Sequence, residues 1–245
     1  LLIATPTIVI SQDTSRVKTI QDIYVRDILG RSVDMSRLPS IQGTDIFSGK
    51  KNEVISIGAS TADLSTNNSR QLFGKVPGLS IWENDGSGIQ TGIATRGLSP
   101  NRSWEFNVRQ DGGDISSEVF GYPEAYYTPP TEAIDKIELV RGAGALQYGP
   151  QFGGLLNYVT KKNLGSKPIT VESSQTMGSY GMFNSFNAIG GKIKKFSYYA
   201  YMHHRGAQGW RENSQYRTQT GSVSMSYDFS KKWHLVHFLL PKFLI

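Results

Sequence analysis

Residues that could support catalysis or metal binding are few and poorly placed in this sequence. The 245 residues include four histidines and no cysteine, which excludes disulfides, thiolate metal sites and cysteine nucleophiles. His203 and His204 fall on opposite faces of a strand, and His234 and His237 lack metal-ligand spacing. Gly86-Ser87-Gly88 is typical of a turn and lacks the G-x-S-x-G pattern of a nucleophile elbow. We therefore predict no catalytic residue, no metal site and no cofactor.

The distribution of charged residues is typical of turns and strand ends and does not indicate a binding patch. The formal net charge is +6, and lysines occur in pairs at Lys50-Lys51, Lys161-Lys162, Lys194-Lys195 and Lys231-Lys232. No basic helical face or nucleic-acid-binding module accompanies this charge, so we predict no nucleic-acid partner. Asp111 and Asp114 could be considered for acid–base chemistry, but they are predicted to shape a turn.

The chain contains no apolar run approaching the roughly 20 residues that a membrane-spanning helix needs. Its first ten residues, LLIATPTIVI, are apolar but too short for that role. We interpret residues 1–12 as the tail of a secretory signal peptide, and a short N-terminal strand is the alternative.

The densest cluster of glycines lies between Ile134 and Thr160, directly after an apolar strand. Gly142-x-Gly144 resembles the start of a dinucleotide-binding fingerprint, but Gln147 stands where the third glycine belongs. The glycines therefore predict a backbone that bends sharply or packs against other backbone, and no nucleotide site.

Short helices and strands alternate before this stretch. Asn67-Asn68-Ser69 is predicted to cap a helix that runs to Lys75, and Val76-Pro77-Gly78 stops that helix. Strands are predicted at Leu79–Trp82, Ile89–Thr95 and Trp104–Val108. Such a mixture of elements indicates an α+β domain.

After residue 165 the chain reads as strands separated by turns. Residues Thr218–Phe229 alternate between a polar face of Thr, Ser and Asp and a face that includes Val, Met, Tyr and Phe. In residues 196–203, one face carries Phe, Tyr, Ala and Met and the other Ser, Tyr and His. Weaker strands are predicted at Ile169–Met177 and Met182–Gly190, with a turn at Gly190-Gly191. This alternation is typical of a transmembrane barrel strand and equally of a soluble β-sandwich.

Two longer stretches carry a resemblance to a known family. IELVRGAGALQYGPQFGGLLNYVTKK, residues 137–162, resembles the end of the plug domain of TonB-dependent outer-membrane receptors. TRGLSPNRSWEFNVRQDGGDISSEVFGYPEAYYTPPTEAIDKIELVRG, residues 95–142, is similar to the plug of the ferric dicitrate receptor branch. The helix, turn and glycine loop of KVPGLSIWENDGSG follow the order of elements in these plugs.

The resemblance implies an α+β plug domain, residues 51–162, followed by antiparallel transmembrane β-barrel strands over residues 163–245. Residues 13–50 would form a periplasmic tail. A barrel with a plugged lumen needs about 22 strands, whereas four or five are predicted here, and the alternation stops after residue 234. We interpret the chain as a truncated, incomplete barrel.

The resemblance also implies which residues contact a ligand, because receptors of this family capture it with plug apices and barrel loops. Residues 99–104 and 121–127 map to two such apices. The predicted ligand-binding residues are Asn101, Arg102, Ser103, Trp104, Tyr122, Glu124, Tyr126 and Tyr127. Arg102 could bind a carboxylate-bearing iron chelate, whereas Glu124 replaces a neutral amide of the dicitrate pattern and would oppose citrate.

Two further roles follow from the resemblance. Arg96 and Arg141, each followed by glycine, are expected to hold the plug to barrel-wall carboxylates. A TonB box, which adds as a strand to the energy-coupling protein TonB, is predicted at Ile20, Gln21, Asp22, Ile23, Tyr24 and Val25. Val54–Ile57 is the alternative position for that box.

The implied function is import of ferric dicitrate or a siderophore across the bacterial outer membrane, without enzymatic activity. The implied partners are TonB with its energising ExbB–ExbD complex, the iron chelate, and outer-membrane lipid. The alternative is a secreted or surface β-rich module that binds a glycan or a protein without transport.

Overall fold

The fold divides into a mixed β-sheet with short helical turns and a second, antiparallel sheet. The computed structural model describes residues 35–42, 45–47, 52–60, 62, 64, 66–83, 86–117, 122, 125–149, 152–229 and 234–239, all within the unit of residues 32–245. The strands of the first part are β1 (Met35–Arg37), β2 (Ile41–Gln42), β3 (Asp45–Ile46), β4 (Glu53–Ser56), β5 (Leu79–Glu83), β6 (Thr91–Thr95), β7 (Phe106–Gln110), β8 (Gly113–Asp114), β9 (Ile134–Val140) and β10 (Gly154–Thr160). Those of the second part are β11 (Thr170–Gly178), β12 (Met182–Ile193), β13 (Phe196–Ala207), β14 (Tyr216–Asp228) and β15 (His234–Leu239).

The mixed sheet has the strand order β1-β4-β9-β10-β7-β8. Its neighbours pair antiparallel except β10 and β7, which run parallel. Strand β9 is central and buries its last four residues on both faces, as expected of a strand covered on both sides. The core around it includes Ile55, Phe73, Ile93, Phe106, Ile137, Leu139 and Leu156. Strand β1 and the buried Leu38 and Phe47 place residues from Met35 onward within this folded part.

Helix α1 (Ser69–Phe73) begins where the sequence predicted. The Asn68 side chain accepts hydrogen bonds from the backbone N–H groups of Arg70, at 2.9 Å, and Gln71, at 3.3 Å. These bonds satisfy donors that the first turn of a helix leaves unpaired. The helix ends at Phe73, two residues before the predicted Lys75. No helix in the described part of the chain is long and apolar enough to cross a membrane.

The second sheet is a meander in which β11 to β15 pair antiparallel in chain order. One face is buried and includes Asn184, Phe186, Ala188, Ser197, Tyr199, Tyr201, His203, Arg205, Ser222 and Ser224. The other exposes Val171, Ile189, Met202, Met225 and Tyr227. The predicted alternation is therefore present, with the polar face turned inward.

Gly190-Gly191 does not form the predicted turn. Strand β12 continues through both glycines to Ile193, and the reversal occurs at Lys194, whose φ is 54°. A Cβ atom on Gly191 would collide with the carbonyl oxygen of Pro168. This glycine therefore permits a close approach of two backbone segments, which local sequence cannot distinguish from a turn.

Candidate functional site

Two loops that lie apart in the sequence meet at Arg102. Its guanidinium carbon lies 5.4 Å from the ring centroid of Trp104 and 5.4 Å from that of Tyr122. Tyr122 and Tyr126 meet edge to face at 6.4 Å. These four side chains, here called the Arg102 cluster, join both segments that the sequence singled out. Guanidinium–aromatic contacts of this kind hold the cation in place.

The backbone beneath this cluster is unusual. Asn101–Ser103 forms a 3-10 turn in which Arg102 has φ 57° and Ser103 has φ 50°, both in the left-handed region. Each such residue costs on the order of 1–3 kcal/mol, and such strain persists only where surrounding contacts impose it. One such contact is the Ser103 hydroxyl, which accepts the N–H of Ile93 at 3.0 Å.

The predicted ligand-binding residues differ in their accessibility. Trp104, Tyr122 and Tyr126 are 59%, 46% and 37% exposed, and Asn101 is exposed as well. Ser103 and Tyr127 are buried and bonded within the protein, so neither is accessible to a ligand. Glu124 lies outside the described residues.

Tyr127 connects the two sheets. Its hydroxyl lies 3.2 Å from the Tyr201 hydroxyl, and both rings are buried. Burial raises the pKa of Tyr127 well above its usual range, so the phenol stays neutral at physiological pH. Next to this pair, Ala133 packs with Phe186, Ala188, Tyr199 and Tyr201 in one apolar cluster.

Charged contacts between the sheets involve residues that the sequence did not single out. Arg205, on the buried face of β13, donates from Nη2 to the carbonyl oxygen of Thr66 at 3.2 Å. Lys161 contacts Glu172 of β11 at 3.0 Å, but both side chains are partly exposed and the pair is worth at most about 1 kcal/mol. Strand parity could have flagged Arg205, because it falls on the same face as Ser197 and Tyr199.

Arg141, which is predicted to pair with a barrel-wall carboxylate, forms an ion pair within the first part of the chain. Its guanidinium donates to Glu53 Oε2 at 3.0 Å and to the Pro77 carbonyl oxygen at 2.9 Å, both in the first part of the chain. Arg96 is exposed, with φ 59°, and has no ion pair among the described residues. Its guanidinium instead lies beside Gly142, where a Cβ atom would come within 3.0 Å of it.

Replacing Arg141 with methionine should destabilise the protein by about 3 kcal/mol. The side chain is 9% exposed, and its loss leaves the half-buried carboxylate of Glu53 without this partner. Denaturant titration of the full chain in detergent measures the change, with Arg96→Met as the matched control, expected within about 0.5 kcal/mol of wild type. A larger loss from Arg96→Met than from Arg141→Met would contradict this assignment.

The first part of the chain matches a known protein family. A model of the TonB-dependent receptor plug domain matches residues 51–155. The chain contains a TonB-dependent receptor plug. The part of the fold that precedes β11 is accordingly called the plug below, and β11–β15 the five-stranded sheet. The predicted fold class, an α+β plug followed by antiparallel strands, is confirmed.

Several solved structures share this fold. The chain is similar to the ferric citrate transporter FecA in its unliganded form, with 24% identity and a TM-score of 0.54 over 77% of this chain and 30% of that one. It is similar to the copper transporter OprC, with 16% identity and a TM-score of 0.58 over 79% and 30%. It is also similar to the pyoverdine receptor FpvA of Pseudomonas aeruginosa PAO1, with 18% identity and a TM-score of 0.58 over 76% and 26%. The chain thus matches less than a third of the length of each of these proteins.

The alternative position for the TonB box is not available for strand addition. Val54–Ile57 overlaps β4, which pairs with β1 on one side and β9 on the other. Val54, Ile55 and Ile57 are also buried. Because strand addition needs a free edge, this segment cannot serve without unfolding the sheet. Ile20–Val25 lies outside the described residues.

Proposed function

We propose that this chain supplies the plug and the adjoining strands of an outer-membrane receptor that imports an iron chelate. The observation that carries the proposal is the match of residues 51–155 to the receptor plug, joined to strands whose polar face packs against that plug. Transport would draw on the inner-membrane proton gradient through TonB and ExbB–ExbD. The similar structures include a ferric citrate transporter, a pyoverdine receptor and a copper transporter, which makes a metal chelate the best-supported class of substrate.

The outward face of the five-stranded sheet suits contact with lipid. Ile189, Ala200 and Val223 lie side by side across three strands and form an apolar row. Aromatic pairs lie nearer the end where β12 turns into β13, with Phe196 stacked on Tyr198 and Tyr227 against Phe229. An apolar band bordered by aromatic residues is what transmembrane barrels present to the bilayer.

The Arg102 cluster is the proposed ligand contact on the plug. Its exposed rings offer flat apolar surface, and the guanidinium offers charge-assisted donors to carboxylate or hydroxamate oxygens. Asn101 adds an exposed amide on the same turn. Glu124, two residues after Tyr122 in the sequence, adds a carboxylate that would repel bare ferric dicitrate, so a ligand that carries both acceptors and donors fits better.

Arg102→Ala should weaken chelate binding by about ten- to a hundredfold. This range corresponds to the loss of one charge-assisted bond, about 1.5–3 kcal/mol. Glu124→Gln should strengthen binding of ferric dicitrate, because it removes a repelling charge. Both effects are measured by titrating the purified receptor that carries this chain with ferric dicitrate and a mixed carboxylate–hydroxamate siderophore.

The matched control for these titrations is Arg217→Ala, which removes an exposed arginine at the start of β14 and leaves every residue of the Arg102 cluster in place. It should leave the affinity unchanged. If Arg102→Ala and Arg217→Ala both bind every tested chelate as tightly as wild type, the ligand contacts lie elsewhere.

A further inference from the structure

A small cavity lies on the boundary between the plug and the five-stranded sheet. Residues 126–130 line it from the plug, and His203, Arg205, Thr218 and Thr220 line it from β13 and β14. The volume within this cavity that the centre of a water molecule can occupy is about 20 Å³. A single buried water needs on the order of 10–15 Å³ by the same measure. The space is therefore large enough for one water and too small for an organic ligand.

Three polar atoms of the residues that line this cavity are buried without a hydrogen-bond partner among the described residues. They are Nε2 of His203, Nε of Arg205 and Oγ1 of Thr220. His203 is 4% exposed and Arg205 is 7% exposed, so bulk water does not solvate these groups. Leaving one such buried group without a hydrogen bond costs about 1–3 kcal/mol. Because three of them belong to residues that line the same cavity, one molecule in that cavity could bond to all three.

We propose that this cavity binds one ordered water molecule held by His203, Arg205 and Thr220. The water accepts the N–H of Arg205 and donates its two protons to the imidazole nitrogen of His203 and the hydroxyl of Thr220. The three bonds match the usual number for a buried water, and each of the three protein atoms gains a partner. The water completes the hydrogen bonding of Arg205, whose Nη2 already binds Thr66 of the plug.

A halide ion is the competing occupant, because Arg205 carries a positive charge. Two features favour water. Glu132 lies close enough to interact electrostatically with Arg205, and its carboxylate bonds to the amide of Asn67, which also lines the cavity. A second anion beside that carboxylate would be repelled, and a halide would require the imidazole and the hydroxyl both to donate.

A crystal structure of the receptor carrying this chain, at a resolution of about 2 Å or better and with bromide soaking, tests the proposal. The expected result is a single spherical peak about 2.6–3.2 Å from all three atoms, without anomalous signal from bromide. Thr220→Val should remove the peak. Thr218→Val, on the same face two residues away, should keep it, because the Thr218 hydroxyl is not among the unpartnered buried atoms.

Three outcomes would overturn the proposal. A bromide signal at the site would assign it to an anion, and featureless density in the wild type would leave the cavity dry. A full peak in Thr220→Val would remove that residue from the site.

Discussion

Proline at Ile23 or Tyr24 is expected to abolish uptake of the iron chelate while leaving its binding at the cell surface intact. Strand addition to TonB would use backbone hydrogen bonds, and proline removes the N–H donor from the added strand. The prediction rests on the proposal that Ile20–Val25 is the TonB box. The alternative position for the box, Val54–Ile57, overlaps strand β4, and both edges of β4 are already paired. Ile20–Val25 is therefore the preferred position.

Alanine at the same two positions is the matched control. Ile23→Ala and Tyr24→Ala keep the backbone donor, so uptake should remain near wild type, and only the proline variants should fail. Uptake and surface binding are measured on the same cells with radioactive iron. Normal uptake in both proline variants would place the TonB box outside Ile20–Val25.

Gly154→Ala should destabilise the plug by about 2–6 kcal/mol. Gly154 has φ +113°, a conformation that alanine rarely adopts, and a Cβ atom there would collide with the carbonyl oxygen of Val140. Strain and overpacking each cost about 1–3 kcal/mol, and here both act at the junction of β9 and β10. Backbone is the obstacle, so no side-chain movement can relieve the clash.

Two other glycines separate the causes of that loss. Gly78 has φ +70° but open space around its Cβ position, so Gly78→Ala should lose only the conformational part, about 1–3 kcal/mol. Gly58 has open space and no positive φ, so Gly58→Ala should change stability by less than about 0.5 kcal/mol. The denaturant midpoints should fall in the order Gly58, Gly78, Gly154. Equal midpoints for Gly154→Ala and Gly58→Ala would contradict the packing described here.

Features governed by neighbouring residues were predictable from the sequence. Asn68 caps α1 through donors two and three residues away, and the alternation of β14 follows from the geometry of an extended chain. Both signals are local, and both are present in the structure. Accordingly, the start of the helix and the polar inner face of the strands were predictable from the sequence.

Features governed by distant residues were not predictable in the same way. Gly191 packs against the backbone of Pro168, and Arg141 forms an ion pair with Glu53, which lies 88 residues earlier in the sequence. The contact between Arg102 and Tyr122 likewise depends on how two loops fold over one sheet. The residue types of the candidate site were visible in the sequence, but the cation–aromatic stacking that joins them was not.

Iron accumulation by cells whose only chelate receptor carries this chain tests the proposed function most directly. We expect radioactive iron, supplied as a panel of carboxylate and hydroxamate chelates, to accumulate with at least one of them. That accumulation should cease when the proton gradient is collapsed, while surface binding persists. Receptor present in the outer membrane that neither binds nor accumulates any chelate of the panel would contradict the proposed function.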